Sequence, residues 1–176
     1  IKSGNIGSVR IGQKLEIEKL KLFLEKIGIL NKIDFDIEEV GEPIPFRWGK
    51  CKLATVSFGH GITTTPLQLA KGYAIIANGG FEITPSLIKK NSENNKSKKR
   101  IIKKGVSEQI NKILRKIVST NEGTAGFANI EGYEVGGKTG TAEKVIVGGY
   151  TRKAKINTFA SIFPTSKPKY VMIVLL

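Results

Sequence analysis

Apolar residues in this chain change their period partway along, and that switch limits the possible folds more than any other feature. Up to residue 118 they recur at helical spacing: Ile6 and Val9, then Leu20, Phe23, Leu24 and Ile27, then Ile110, Ile113, Leu114, Ile117 and Val118. The last set has offsets of 0, 3, 4, 7 and 8, which is one face of a helix. From Tyr133 the residues become β-branched and aromatic, in three stretches: Tyr133–Val147, Ile156–Phe163 and Tyr170–Leu176. Gly148-Gly149, Pro164 and Pro168 punctuate them. Consecutive strands with short connections predict an antiparallel meander. Helices first and sheet last predict an α+β fold, with helices packed on the sheet.

Within the helical part, residues 6–12 and 16–27 read as two helices, with Gly12 and Gly28 as their stops. Residues 31–50 hold acids, two prolines and Trp48 without periodicity, and read as irregular. Thr65-Pro66-Leu67-Gln68 is a helix start with a mechanism. Thr65 caps, Pro66 occupies the first position, where its missing N–H costs nothing, and Gln68 completes a capping box. This helix is expected to run through Leu69, Tyr73 and Ile76 to a left-handed stop at Asn78-Gly79-Gly80, and to be mostly buried. Residues 91–100 read as a polar loop, and Ser107 as the start of the next helix.

The chain has 176 residues, 29 Lys+Arg against 15 Asp+Glu, and a net charge of +14. With 40% hydrophobic and 25% charged residues, disordered and collagen-like classes are excluded. No run reaches the roughly 18 apolar residues that a membrane span needs. Ile1-Lys2-Ser3-Gly4-Asn5 shows neither an initiator Met nor a signal pattern, which leads us to expect a piece of a longer chain. Cys51 and His60 are each the only residue of their kind, too few for a disulfide or a Cys/His metal site. No metal and no cofactor are expected. Cys51 reads as a small buried side chain, His60 as support for a turn, and Phe46 and Trp48 as packing residues. The charge excess is mostly Lys in a chain also rich in Ile and Asn, which reads as general surface bias. Its densest run, Lys96-Ser97-Lys98-Lys99-Arg100, has no interleaved aromatics, so no specific nucleic-acid partner is expected.

Gly136-Gly137-Lys138-Thr139-Gly140-Thr141 is the segment richest in chemistry. Gly132-x-x-x-x-Gly137-Lys138-Thr139 satisfies the phosphate-loop expression, which would make the chain a nucleotide-binding module. Its context is wrong: a phosphate loop follows a strand and opens a helix, and here the residues after Thr139 look extended. The alternative puts Lys138–Thr141 on a strand lining a cleft. Small residues admit a substrate backbone along the strand edge, Lys138 supplies positive charge, and Thr139 and Thr141 supply hydroxyls for an anionic group. Tyr150-Thr151-Arg152 is expected in a turn rimming that cleft.

Ser3-Gly4-Asn5 and Lys138-Thr139-Gly140 match the second and third signatures of penicillin-binding proteins and serine β-lactamases. Between them, in order, stand Gly41-Glu42-Pro43, Ala54-Thr55-x-Ser57-Phe58-Gly59-His60-Gly61, Thr65-Pro66-Leu67-Gln68-Leu69-Ala70 and Ala77-Asn78-Gly79-Gly80. Over nearly its whole length the chain resembles class B penicillin-binding proteins, and its Phe-Gly-His-Gly form resembles the cell-division member. The resemblance implies the C-terminal part of a D,D-transpeptidase domain that cross-links peptidoglycan stem peptides ending in D-Ala-D-Ala, and that β-lactams acylate. It implies a proton relay at Ser3, an amide contact at Asn5 and a positive cleft from Lys138. Thr139, Gly140 and Thr141 would bind substrate, the two threonines holding its terminal carboxylate and the Thr141 N–H forming half of an oxyanion hole. The family's nucleophile lies in Ser-x-x-Lys upstream of Ser-x-Asn. Ser86-Leu87-Ile88-Lys89 fits formally, but it follows Ser-x-Asn and lies after Pro85. The nucleophile-bearing part and an N-terminal membrane anchor are therefore expected outside this chain, at the periplasmic face of the inner membrane. Division-machinery membrane proteins would be partners of the whole protein. The fragment alone is expected to be inactive, with an uncovered apolar sheet face that favours self-association. A penicillin-sensing receptor and a β-lactamase are the rivals within the superfamily.

Overall fold

The computed structural model describes residues 2–89, 99–146 and 149–176, with the backbone alone at 145–146 and 149–153. In chain order the elements are α1 (Asn5–Lys26), α2 (Lys50–Ser57), α3 (Pro66–Ala77), α4 (Lys104–Ser119), a 3-10 turn (Gly126–Ala128), β1 (Gly136–Ile146), β2 (Gly149–Phe163) and β3 (Tyr170–Leu175). They form two compact units, Gly4–Ile110 and, together, the residues up to Ser3 with Asn111–Leu176.

In the first unit, α1 is the expected pair of helices joined by a kink at Glu16, whose φ of 64° and ψ of 168° leave the helical region. Gly12 is not a stop. It is buried inside the first half, and a Cβ there would overlap the Ser57 side chain of α2. The glycine serves close helix approach, so the sequence signal was real but its reason was packing. Helix α2 was not anticipated, although its end is legible. The Gly59 N–H donates to the Val56 carbonyl at 3.0 Å and the His60 N–H to Thr55 at 2.9 Å, with Gly59 at φ 90°. This is a Schellman stop, which needs the left-handed conformation that glycine adopts freely. His60 thus supports a turn as expected, with its ring 5.2 Å from that of Phe58. Phe46 and Trp48 pack on each other at 5.0 Å. Cys51 contradicts its reading: it is exposed, on the outer face of a helix that was not foreseen.

Helix α3 opens as expected. Thr65 Oγ1 accepts from the Gln68 N–H at 3.2 Å, and the Thr65 N–H donates to Gln68 Oε1 at 2.8 Å. The same Gln68 side chain is fully buried and turns its Nε2 to the carbonyls of Gly28, Ile29 and Asn31 at 3.3, 3.2 and 2.8 Å. One residue therefore caps α3 and fastens the exit of α1 to it. Around this lock lies the core of Ile27, Ile29, Ile75 and Ile102, with Leu24, Leu69, Ile76 and Ile101 against it. Each buried isoleucine contributes about 2 kcal/mol. Helix α3 ends at Asn78, followed by Gly79 and Gly80 at φ 88°. The polar loop at 91–100 falls largely outside the described residues. At its end Arg100 stacks on the Phe81 ring at 4.0 Å and donates to the Gly79 carbonyl.

Helix α4 begins at Lys104, three residues before the expected start. Ser107 is no cap: it is buried and donates its Oγ to the Ile76 carbonyl at 2.5 Å. A carbonyl in the last turn of α3 has no intrahelical donor, and the serine hydroxyl fills that need. On α4, Leu114, Ile117 and Val118 are buried as predicted, but Ile113 is 48% exposed.

In the second unit the strands form an antiparallel meander in the order β1-β2-β3. Lys138 pairs with Ala160 and Thr139 with Phe159 across β1 and β2, and Ser161 pairs with Met172 across β2 and β3. β1 starts at Gly136 rather than Tyr133 because Glu134 turns the chain at φ 47°. The Glu134 carboxylate accepts from the Ser166 N–H and hydroxyl, which ties the entry of β1 to the β2–β3 connection. β2 begins at Gly149, seven residues before Ile156, so Tyr150-Thr151-Arg152 is strand and not the expected turn. Thr151 pairs with Lys144 beyond a bulge at Glu143/Lys144.

Replacing Gln68 by Leu leaves three carbonyls and a cap without their partner. We expect a loss of about 2–4 kcal/mol, read as a lower urea midpoint, since buried unsatisfied groups and lost caps each cost about 1–3 kcal/mol. A change within about 0.5 kcal/mol would refute the lock.

Candidate active site

The site grows from the place where α4 meets the start of β1. A Cβ on Gly136 would lie 2.9 Å from the Arg115 backbone N and 3.1 Å from the Leu114 carbonyl carbon. The first is closer than real Cβ atoms come and the second is tighter than most, so the helix backbone presses on the strand at a position that favours glycine. Arg115 strengthens the junction by donating to the Val135 carbonyl at 2.8 Å and to Asn129 Oδ1 at 2.9 Å.

Directly after this junction comes Lys138. Its side chain is half-buried, and its Nζ donates to the Thr139 carbonyl at 2.6 Å and lies 3.5 Å from Thr139 Oγ1. Burial holds the Lys138 pKa below the ordinary value of 10.5. Thr139 is half-buried, and its hydroxyl is 2.9 Å from that of Thr124. Gly140 is exposed, and a Cβ there would meet nothing closer than Thr158 at 3.9 Å. Thr141 is exposed and donates its hydroxyl to Asn157 Oδ1 at 3.1 Å. β1 ends the sheet order, so among the described residues one of its edges has no strand partner. An unpaired edge presents N–H and C=O groups ready for an extended peptide. Together the segment offers a cation, hydroxyls and a free strand edge with an open glycine. Chemically, such a set can pair with an extended backbone and hold a carboxylate.

Ser3 and Asn5 flank Gly4, which caps α1. The Ser8 N–H and hydroxyl both reach the Gly4 carbonyl, at 3.2 and 3.4 Å. Ser3 is exposed at φ 54°, a left-handed conformation that costs a non-glycine residue roughly 1 kcal/mol. Such outliers concentrate at functional sites. Ser3 falls in the same compact unit as Lys138, Thr139, Gly140 and Thr141, while Asn5 lies in the other unit.

Several competing readings meet a physical obstacle. Gly137, Lys138 and Thr139 lie inside a strand that continues to Ile146, so the phosphate-loop match has no helix N-terminus behind it. Ser86 lies outside any helix, with its Oγ donating to Asp36 Oδ2 at 2.7 Å. A second formal Ser-x-x-Lys, Ser166-Lys167-Pro168-Lys169, escaped the sequence reading. It lies in the β2–β3 connection, with Ser166 bound to Glu134. Also missed were Thr124 and Asn157, which give no periodic or motif signal and reach the site through pairing and loop geometry alone.

The model of the penicillin-binding-protein transpeptidase domain matches residues 1–176, and the chain belongs to that family. Stage V sporulation protein D of Bacillus subtilis is 35% identical over 98% of this chain and 28% of its own length. The probable peptidoglycan D,D-transpeptidase FtsI of Caulobacter vibrioides is 31% identical over 99% of this chain and 31% of its own. The chain therefore spans about a third of the curated relatives that it matches. The transpeptidase domain of Burkholderia pseudomallei penicillin-binding protein 3 superposes with a TM-score of 0.90 at 26% identity, over 98% of this chain and 53% of that one. Penicillin-binding protein 3 of Mycobacterium tuberculosis, complexed with aztreonam, does so at 0.89 and 26%, over 99% and 43%.

A lysine whose pKa is lowered by burial sheds its proton at a lower pH than a free one. In the whole protein, the Cε shift of Lys138, assigned by its loss in Lys138→Arg, is expected to titrate with a midpoint below 10.5. A midpoint at or above that value would contradict the half-buried placement.

Proposed function

We propose that the chain is the C-terminal part of a peptidoglycan D,D-transpeptidase domain and that β1 is one wall of its substrate groove. The observation that carries this is the unpaired edge of β1, with Lys138, Thr139 and Thr141 in sequence around the open Gly140. A serine in a Ser-x-x-Lys segment of the preceding domain part attacks the carbonyl carbon of the penultimate D-Ala. The C–N bond breaks, the terminal D-Ala leaves as the amine, and a serine ester remains. An amine from a second stem peptide then attacks that ester, forms the cross-link and returns the serine.

This chain supplies the surroundings of those steps. Ser3 relays the proton to the leaving amine, and Asn5 hydrogen-bonds the donor's amide. Lys138 sets the positive potential, and Thr139 and Thr141 bind the terminal carboxylate with Gly140 giving the peptide room. The Thr141 N–H donates to the oxyanion, where one preorganised donor is worth roughly 10²–10³ in rate. β-Lactams acylate the same serine by opening their ring amide, a reading supported by the aztreonam and ampicillin complexes of the structural neighbour.

The Phe58-Gly59-His60-Gly61 form and the FtsI relatives favour a septal role, on the periplasmic side of the membrane and among membrane proteins of the division machinery. No helix of the described residues is long and apolar enough to cross a membrane. Ile156 and Leu175, which the pairing register puts on one face of the sheet, are 38 and 45% exposed, which supports cover by the preceding part in the whole domain and self-association of the isolated chain. A monodisperse monomer in light scattering would contradict the self-association.

The test is covalent labelling of the full-length protein with benzylpenicillin, read by mass spectrometry. One long-lived adduct is expected, slowed at least tenfold by Lys138→Ala, with no adduct on residues 1–176 alone. Rapid release of hydrolysed drug would favour the β-lactamase alternative, and absence of an adduct would refute the reading.

A further inference from the structure

Thr124 lies outside the roles assigned above, yet its hydroxyl pairs with that of Thr139. Thr124 follows α4 in a tight loop. A Cβ on Gly123 would overlap the Ile117 carbonyl oxygen, and the Gly123 N–H donates to the Thr120 carbonyl at 3.0 Å. On its other side, Ala125 is buried and its N–H donates to the Ile117 carbonyl at 3.3 Å. Thr124 is therefore pinned on both flanks to the last turn of α4. Its hydroxyl points to Thr139 Oγ1 at 2.9 Å.

A threonine hydroxyl has one proton and two lone pairs. Thr139 Oγ1 has Lys138 Nζ, which can only donate, at 3.5 Å on one side and the Thr124 hydroxyl on the other. When Thr124 also donates, Thr139 accepts twice and its own proton is left for an outside acceptor. We infer that Thr124 is a positioning residue that aims the Thr139 hydroxyl proton into the groove at the carboxylate of the bound peptide or β-lactam. The inference rests on the carboxylate-binding role proposed for Thr139. Hydrogen bonds in series polarise one another, and those to a charged acceptor gain most. Thr124 thus acts on affinity for an anion and leaves other contacts untouched.

The experiment uses the full-length protein and compares acylation by benzylpenicillin with acylation by its methyl ester, which keeps the shape and lacks the charge. Thr124→Val is expected to slow benzylpenicillin roughly fivefold, as loss of one hydrogen bond does, mainly through weaker initial binding, and to change the ester little. Thr124→Ser, which keeps the hydroxyl, restores most of the rate, and Thr124→Val adds nothing in a Thr139→Val background. Thr124→Ala gives a second hydroxyl-free variant if the valine does not fold. Equal losses for acid and ester, no loss for either, or full additivity with Thr139→Val would overturn the inference. A wild-type protein acylated by neither compound refutes the transpeptidase reading itself. Normal acylation without acid preference refutes only the carboxylate role and what rests on it.

Discussion

The close passage of α4 over the first residues of β1 is the constraint on which the site depends. Without a side chain at Gly136, the helix backbone comes within contact distance of the strand, and Arg115 fastens it there. Everything chemical follows within five residues. Lys138 is half-buried, and its amine folds back on the Thr139 carbonyl. Thr124 reaches Thr139 because the loop leaving the same helix is pinned to its last turn. A rigid junction of this kind fixes donors before any ligand arrives, which is what electrostatic stabilisation of a transition state requires.

The first unit is organised by a different device. Gln68 is at once the reciprocal cap of α3 and the donor to three carbonyls where α1 exits. Burying such a residue is unfavourable unless its polar atoms are satisfied, and here Oε1 and Nε2 both are. The Ser107 hydroxyl on the Ile76 carbonyl solves the same problem at the other end of α3. Helix α3 is thus held at both ends by buried polar contacts rather than by apolar packing alone.

Sequence reasoning read what is local. The cap at Thr65, the glycine stops after α1 and α3, the kinked pair of helices and the order of three strands are all decided within a few residues, and they were legible. What depends on a distant neighbour was not. Ser107 looks like a cap until the α3 carbonyl beside it is known. Gly12 looks like a stop until Ser57 is seen against it. Cys51 reads as buried from its residue type alone, since free cysteine is usually inside, yet it lies exposed on an eight-residue helix. In the site, Lys138, Thr139 and Thr141 announced themselves as a motif. Thr124 and Asn157 touch them only through pairing of chain segments about fifteen residues apart, which no short pattern encodes.

The central claim of the proposed function is that the Lys138–Thr141 edge, with Ser3 of the same compact unit, bounds a groove for a carboxylate-ended peptide. The most direct measurement is a crystal structure of the complete domain carrying a covalent β-lactam. The account predicts the drug carboxylate within about 3 Å of the Thr139 and Thr141 hydroxyls, and Ser3 within hydrogen-bond reach of Lys138. A carboxylate bound elsewhere, with the β1 edge empty and Ser3 remote from Lys138, would contradict it.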